Sequence, residues 1–361
     1  MFKELLTEKE GVALSVMFII GSTLVAGGAT EAGQDAWISI ILAMIMALPV
    51  LTIYARLLHL FPGKDVFAII DHVCGPYIGK VLSILFVWYA FHLGALVLRN
   101  FSEFLKEVSM TETPGYVIDL PMILLCIWAV KGGIKVLGRW AGLIFTVLLF
   151  IILTTEFLSF TRMNLGNLKP FFYKGALPVV DGAFTVFSFP FAETVLLISV
   201  FSSLNSSISP YKMYYLSLLT GGTLIFILVL RNISSLGFPY IATQYFPSYI
   251  AVSLINAGQF IQRIEVVVSI TFLLSGIVKV SICLYGASVG IARILDFKDY
   301  SMITAPVGLL MVNLSTIIYT SMQEMFEWIK IYRYYAIPFQ IILPIIIWIG
   351  AEIKTRSQKT A

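Results

Sequence analysis

The chain has 361 residues, of which 59% are hydrophobic and 12% charged, with a mean hydropathy of +0.93. Those proportions exclude a soluble domain and fit a polytopic helical membrane protein. The net charge of +4 is small and spread between apolar runs, so it marks topology rather than a nucleic-acid surface.

Runs of roughly twenty apolar residues predict ten spans, at 11–30, 37–57, 78–102, 116–131, 139–160, 177–201, 212–235, 263–295, 303–321 and 332–352. The head, with Lys3, Glu4, Glu8, Lys9 and Glu10, is acidic as well as basic, unlike that of a cleaved leader, and the first span is expected to be retained. Short connecting helices are expected at Val66–Cys74 and 247–258, and a polar loop at 164–175. With the N-terminus in the cytoplasm, roughly fourteen Lys and Arg fall on the inner side against nine outside, which places both ends of the chain inside. Alternating polar-in strands of a membrane barrel are absent from the pattern. Cys74, Cys126 and Cys283 form no C-x-x-C pair and read as packed residues, not metal ligands.

Two spans carry signals of interruption. In the sixth, Phe187-Ser188-Phe189-Pro190-Phe191-Ala192-Glu193 places a proline in mid-span, where it removes an N–H and clashes with the preceding turn. Glu193 follows within a turn. Broken backbone and a carboxylate at membrane depth belong where protein buries them or a cavity is lined. The alternative is a kinked structural helix. In the first span, Gly21-Ser22-Thr23 and then Gly27-Gly28 weaken the helix and offer hydroxyls to freed backbone, predicting a break near Gly21–Val25. Interrupted spans five apart fit a five-plus-five inverted repeat. The chain is then one transmembrane domain, 1–361, with repeats at 1–160 and 177–352.

A ligand site is expected between the two breaks. Its predicted lining is Gly21, Ser22, Thr23, Leu24 and Val25 from the first span and Phe187, Ser188, Phe189, Pro190, Phe191 and Glu193 from the sixth. Tyr89 on the third span and Ser275 on the eighth complete the walls. Half-helix amino ends receive a carboxylate there through free N–H groups. Lys279 lies deep in the eighth span, where an unpaired ammonium costs several kcal/mol. It is read as a cation filling the position between spans one and eight, against the carbonyls near Gly21–Thr23. Snorkelling to the interface is the other reading. His92 reads either as a titrating vestibule group or as packing. Arg99 and Glu103, four apart, are expected to pair. No hydrolase, zinc-protease or Walker signature occurs, so no enzyme activity, cofactor or metal is expected.

Several short motifs in order resemble the B subunits of bacterial spore-germination nutrient receptors, the endospore germination permease family. They are Ile20-Gly21-Ser22-Thr23, Glu31-Ala32-Gly33-Gln34-Asp35-Ala36-Trp37, Phe61-Pro62-Gly63-Lys64, Thr113-Pro114, Gly133 through Arg139, Asn167-Leu168-Lys169-Pro170, Ser188-Phe189-Pro190-Phe191 with Glu193, and Gln262-Arg263-Ile264-Glu265. Many members follow the first-span glycine with Leu-Pro-Arg, whereas this chain has Val25-Ala26-Gly27-Gly28-Ala29-Thr30. The resemblance implies the fold of the amino acid–polyamine–organocation superfamily. It also implies an A subunit and a C lipoprotein subunit as partners, and the inner membrane of the spore as location. Two functions follow: a subunit that binds a small nutrient at the broken helices and signals to its partners, or an autonomous amino acid permease, with or without proton coupling.

Overall fold

The computed structural model describes residues 5–26, 28–205, 207–255 and 264–360, with the side chains of residues 22, 24–26 and 357–360 outside that description. Fourteen α-helices follow one another among these residues: α1 (Glu8–Ala26), α2 (Ala36–Leu60), α3 (Val66–Val108), α4 (Gly115–Lys131), α5 (Ile134–Ser159), α6 (Leu177–Val186), α7 (Leu197–Phe201), α8 (Pro210–Leu236), α9 (Phe238–Ile241), α10 (Pro247–Ser253), α11 (Val266–Ile294), α12 (Ser301–Ile318), α13 (Met322–Ile337) and α14 (Leu343–Thr360). The one strand-like contact among them is a bridge between Leu6 and Leu204.

Among the described residues, eight helical stretches are long and apolar enough to cross a membrane, so the protein is a multi-pass membrane protein. Eight of the ten expected spans meet this measure among the described residues. The two expected spans outside this count are the first, part of which lies outside the described residues, and the fourth, α4, whose 17 residues reach about 26 Å at helical rise. Both described chain ends lie on one face, as the charge bias expects. There Glu8 pairs with Lys212 at 2.6 Å, Arg56 with Glu352 at 2.6 Å, and the His59 and Tyr211 rings meet at 5.8 Å.

Local chemistry sets the irregularities. The Asp65 carboxylate accepts the Ala68 N–H at 2.8 Å and starts α3. Ten residues after Asp65, Gly75 takes φ 76° just before Pro76, and the short helix expected at Val66–Cys74 turns there into the long span. The expected loop at 164–175 contains a single 3-10 turn, Leu165–Leu168, started by the Asn164 side chain accepting the Gly166 N–H. Of the piece expected at 247–258, α10 is described; residues 256–258 are outside the description.

The first span departs from expectation. α1 runs as regular helix through Gly21–Val25 to Ala26. Thr23 donates its hydroxyl back to the Ile19 carbonyl at 3.0 Å, which keeps the turn closed. The irregular stretch follows instead, with Ala29 left-handed at φ 59° and a 3-10 segment at Thr30–Asp35 that is bent at Gly33. Gly27 lies outside the described residues. The glycine that was read as a breaker serves close packing: a Cβ on Gly21 would stand 3.0 Å from both the Ser275 carbonyl and the Lys279 Cβ.

α1 and α11 form the buried centre. Residues 13–21 of α1 and 278–288 of α11 are all buried, wrapped by α3, α5 and α8. α11 meets α3 at Gly290, where an added Cβ would lie 2.3 Å from Val87 and 2.4 Å from Phe67. Gly142 on α5 has nothing within 4 Å of its Cβ position. Gly290→Ala is therefore expected to lower unfolding stability in detergent by about 1–3 kcal/mol through overpacking. Gly142→Ala should be neutral or slightly stabilising. Equal thermal shifts for the two variants would contradict the close α3–α11 approach.

Candidate functional site

The sixth span breaks where Pro190 requires it. α6 ends at Val186, one π-helical turn covers Phe187–Phe191, a 3-10 turn covers Ala192–Leu196, and α7 resumes regular geometry. Phe189 leaves helical space altogether, at φ −136°, ψ 102°. With the ladder opened, the Glu193 side chain enters the centre of the bundle, where it is 0% exposed.

Lys279, also 0% exposed, meets it there. The ammonium donates to Glu193 Oε2 at 2.5 Å, and lies over the Phe18 and Phe189 rings at 5.0 and 4.8 Å. Complete burial rules out snorkelling. α1 remains helical at Gly21–Thr23, where freed carbonyls are expected. Lys279 does stand against Gly21 between α1 and α11, but its partner is the carboxylate.

A chain of hydrogen bonds continues from Glu193. Tyr332 donates to Oε1 at 2.6 Å, and its oxygen lies 3.0 Å from the Tyr89 hydroxyl. Gln340 donates from Nε2 to Tyr89 at 2.8 Å and to the Ser188 carbonyl at 2.8 Å, while its Oε1 accepts from the Ser188 hydroxyl at 3.1 Å. The Ser188 contacts fix the amide's orientation, since a carbonyl can only accept. Tyr89 therefore accepts from Gln340, donates to Tyr332, and Tyr332 donates to Glu193. The Tyr54 hydroxyl donates toward the carbonyls of Gln340 at 2.5 Å and Ala192 at 3.1 Å. Gln340 itself sits in a second π-helical turn, Pro338–Ile342.

Of the expected site residues, Gly21, Tyr89, Ser188, Phe189, Glu193 and Lys279 are brought together. Phe189 also meets Tyr332 edge-on at 5.9 Å. Phe187 stacks on Phe184 at 6.0 Å, and Pro190 and Phe191 are buried in the bend. Ser275 Oγ donates its proton within its own helix, to the Thr271 carbonyl at 2.8 Å. Thr23 is likewise spent on α1. The side chains of Ser22, Leu24 and Val25 lie outside the described residues. Sequence reasoning missed Tyr54, Tyr332 and Gln340. Gln340 carried a signal, as a lone amide two residues after Pro338 in an apolar run.

Elsewhere, Arg99 and Glu103 pair at 3.0 Å as expected. His92 is a packing residue here, stacked on Trp88 at 5.3 Å and flanked by Trp328 and Tyr335. Arg263, in the Gln262-Arg263-Ile264-Glu265 motif, lies outside the described residues. Among the described residues no group of three or more His, Cys, Asp or Glu is placed to hold a metal.

A bundle of apolar helices with a buried ion pair beside an irregular mid-span turn defines a membrane protein of transporter fold. The structure superimposes on MhsT in complex with L-phenylalanine with a TM-score of 0.70, at 14% identity, over 95% of this chain and 89% of that one. It superimposes on MHP1, a nucleobase-cation-symport-1 family transporter in a closed conformation with bromovinylhydantoin bound, with a TM-score of 0.67, at 12% identity, over 93% and 76%. Sequence comparison narrows the class. The family model described as spore germination protein matches residues 5–325, and the chain belongs to that family. Relatives include spore germination protein KB of Bacillus subtilis, 29% identical over 95% of this chain and 94% of that protein. Spore germination protein GerQB of Bacillus cereus is 27% identical over 74% and 73%.

Removing one partner of a buried pair leaves the other charge without compensation. Lys279→Met and Glu193→Gln are each expected to lose about 3–5 kcal/mol of unfolding stability. The double variant should lose much less than the sum. Additive losses in a double-mutant cycle would show that the pair is not coupled.

Proposed function

We propose that this chain is the nutrient-sensing membrane subunit of a spore germinant receptor, working in the inner membrane of the bacterial spore. A small molecule, an amino acid or one of similar size, binds beside the irregular turn of the sixth span, among Gly21, Tyr89, Ser188, Phe189, Glu193 and Lys279. The observation that carries this reading is the sealed Lys279–Glu193 pair. It joins α11 to the broken span, so a ligand that enters must shift these partners and, with them, two helices. A ligand acts only through unequal affinity for two conformations, and about 1–3 kcal/mol of such difference is enough to couple sites.

In this reading the halves 1–160 and 177–352 are inverted repeats, and the broken span is the moving boundary between them. The signal passes by contact to an A subunit and a C lipoprotein, which the family resemblance supplies. The transporter fold of the structural neighbours favours a second reading, an amino acid permease that cycles without partners.

The two readings separate in liposomes. Purified protein given the triggering nutrient is expected to bind it saturably without concentrating it inside, as measured by equilibrium binding and radiolabel uptake on the same preparation. Sustained concentrative uptake without partner subunits would establish the permease reading instead.

A further inference from the structure

A second site lies far from the ion pair, on the face that carries the chain ends. A cavity of about 550 Å³ opens between α3, just past its bend at Gly75, and the end of α11. Its charged lining is Lys80, Arg293 and Lys298 against Asp71 and Asp296. Arg293 is already committed: its Nε donates to Asp71 at 2.7 Å, and Asp65 stands 4.0 Å from its Nη1. Lys80 and Lys298 have no ion-pair partner among the described residues. The cavity lining therefore carries one positive charge in excess.

Ser83 adds an independent observation. It lines the same cavity and is only 3% exposed, yet its hydroxyl has no hydrogen-bond partner among the described residues. A buried hydroxyl without a partner costs about 1–3 kcal/mol. Pro76, Lys80 and Ser83 are four and three residues apart, so they form one stripe of α3 facing the cavity. The neighbouring stripe, Tyr77, Val81, Ile84 and Trp88, is apolar and strongly exposed, Tyr77 at 87% and Val81 at 59%. A polar cavity at the end of a span thus runs directly beside a greasy strip that descends the same helix.

We infer that this cavity holds the phosphodiester of an anionic phospholipid, with its acyl chains laid along Tyr77, Val81, Ile84 and Trp88. One phosphodiester carries one negative charge, which matches the excess in the lining. Lys80 and Lys298 supply the charge, the Ser83 hydroxyl donates to a phosphate oxygen, and the Arg293–Asp71 pair holds the far wall. Basic recesses between spans at headgroup level recognise lipid phosphates in this way. A free phosphate shares the headgroup chemistry but has no use for the apolar stripe.

The test uses the full chain reconstituted in bilayers of equal phosphatidylglycerol and phosphatidylcholine, followed by native mass spectrometry of retained lipid. The wild-type protein is expected to retain phosphatidylglycerol preferentially. Lys80→Gln with Lys298→Gln should cut that preference about 5-fold per lysine, about 25-fold together. Ser83→Ala should weaken it further, while Lys330→Gln, on the opposite face, should leave it unchanged. Both lysines are exposed, so their loss should not unfold the protein, and an unchanged thermal transition checks this. Equal retention of the two lipids by the wild type would overturn the inference. So would an undiminished preference in the double variant, or displacement of the lipid by millimolar inorganic phosphate.

Discussion

Two opposite charges meet where water does not reach, and most of the architecture can be understood as what that contact demands. Neither Lys279 nor Glu193 is tolerable alone at this depth, since the penalty for an unpaired buried ion is several kcal/mol. Pairing requires that the carboxylate reach inward from the sixth span, and a regular helix has no reason to turn it there. Pro190 opens the ladder. Pairing also requires that α11 approach α1 closely enough to bring the ammonium across, and Gly21 permits it by carrying no side chain. Tyr332 then fills the second carboxylate oxygen, and Tyr89 and Gln340 orient Tyr332. Each group in the chain satisfies the next, from the ammonium to the amide.

Much of this is legible in the amino-acid sequence. Proline in an apolar run announces a break wherever it falls, and Pro190 fell beside a carboxylate. An ionisable residue in mid-span announces a partner, and Lys279 was recognisable on that ground. What could not be read was which partner. Spacing along a single helix says nothing about residues 86 apart on two different spans. Gly21 was misread for a related reason. Glycine weakens a helix in isolation, but between packed spans it more often lets two backbones approach, and only the neighbour tells the two uses apart. Tyr332 was hidden in an aromatic-rich stretch, Tyr332-Arg333-Tyr334-Tyr335, where composition does not distinguish the ring that faces inward from those that face lipid.

The relation to transporters is one of fold. The likeness to MhsT and MHP1 extends over nearly the whole chain at 14% and 12% identity, while the relatives by sequence are germination proteins. In this chain that fold holds an irregular turn between packed helices. The two π-helical turns among the described residues, Phe187–Phe191 and Pro338–Ile342, meet through the Gln340–Ser188 contacts. Rotation at either turn must therefore be answered by the other.

The pairing of Lys279 with Glu193 also has an electrical consequence. A membrane potential does work on displaced charge, about 2.3 kcal/mol for each elementary charge carried through 100 mV. While the two groups stay together their charges cancel, and the helices that bear them can shift across the field with almost no net charge to be pulled. A molecule built on this contact offers a voltage almost nothing to pull on at its centre.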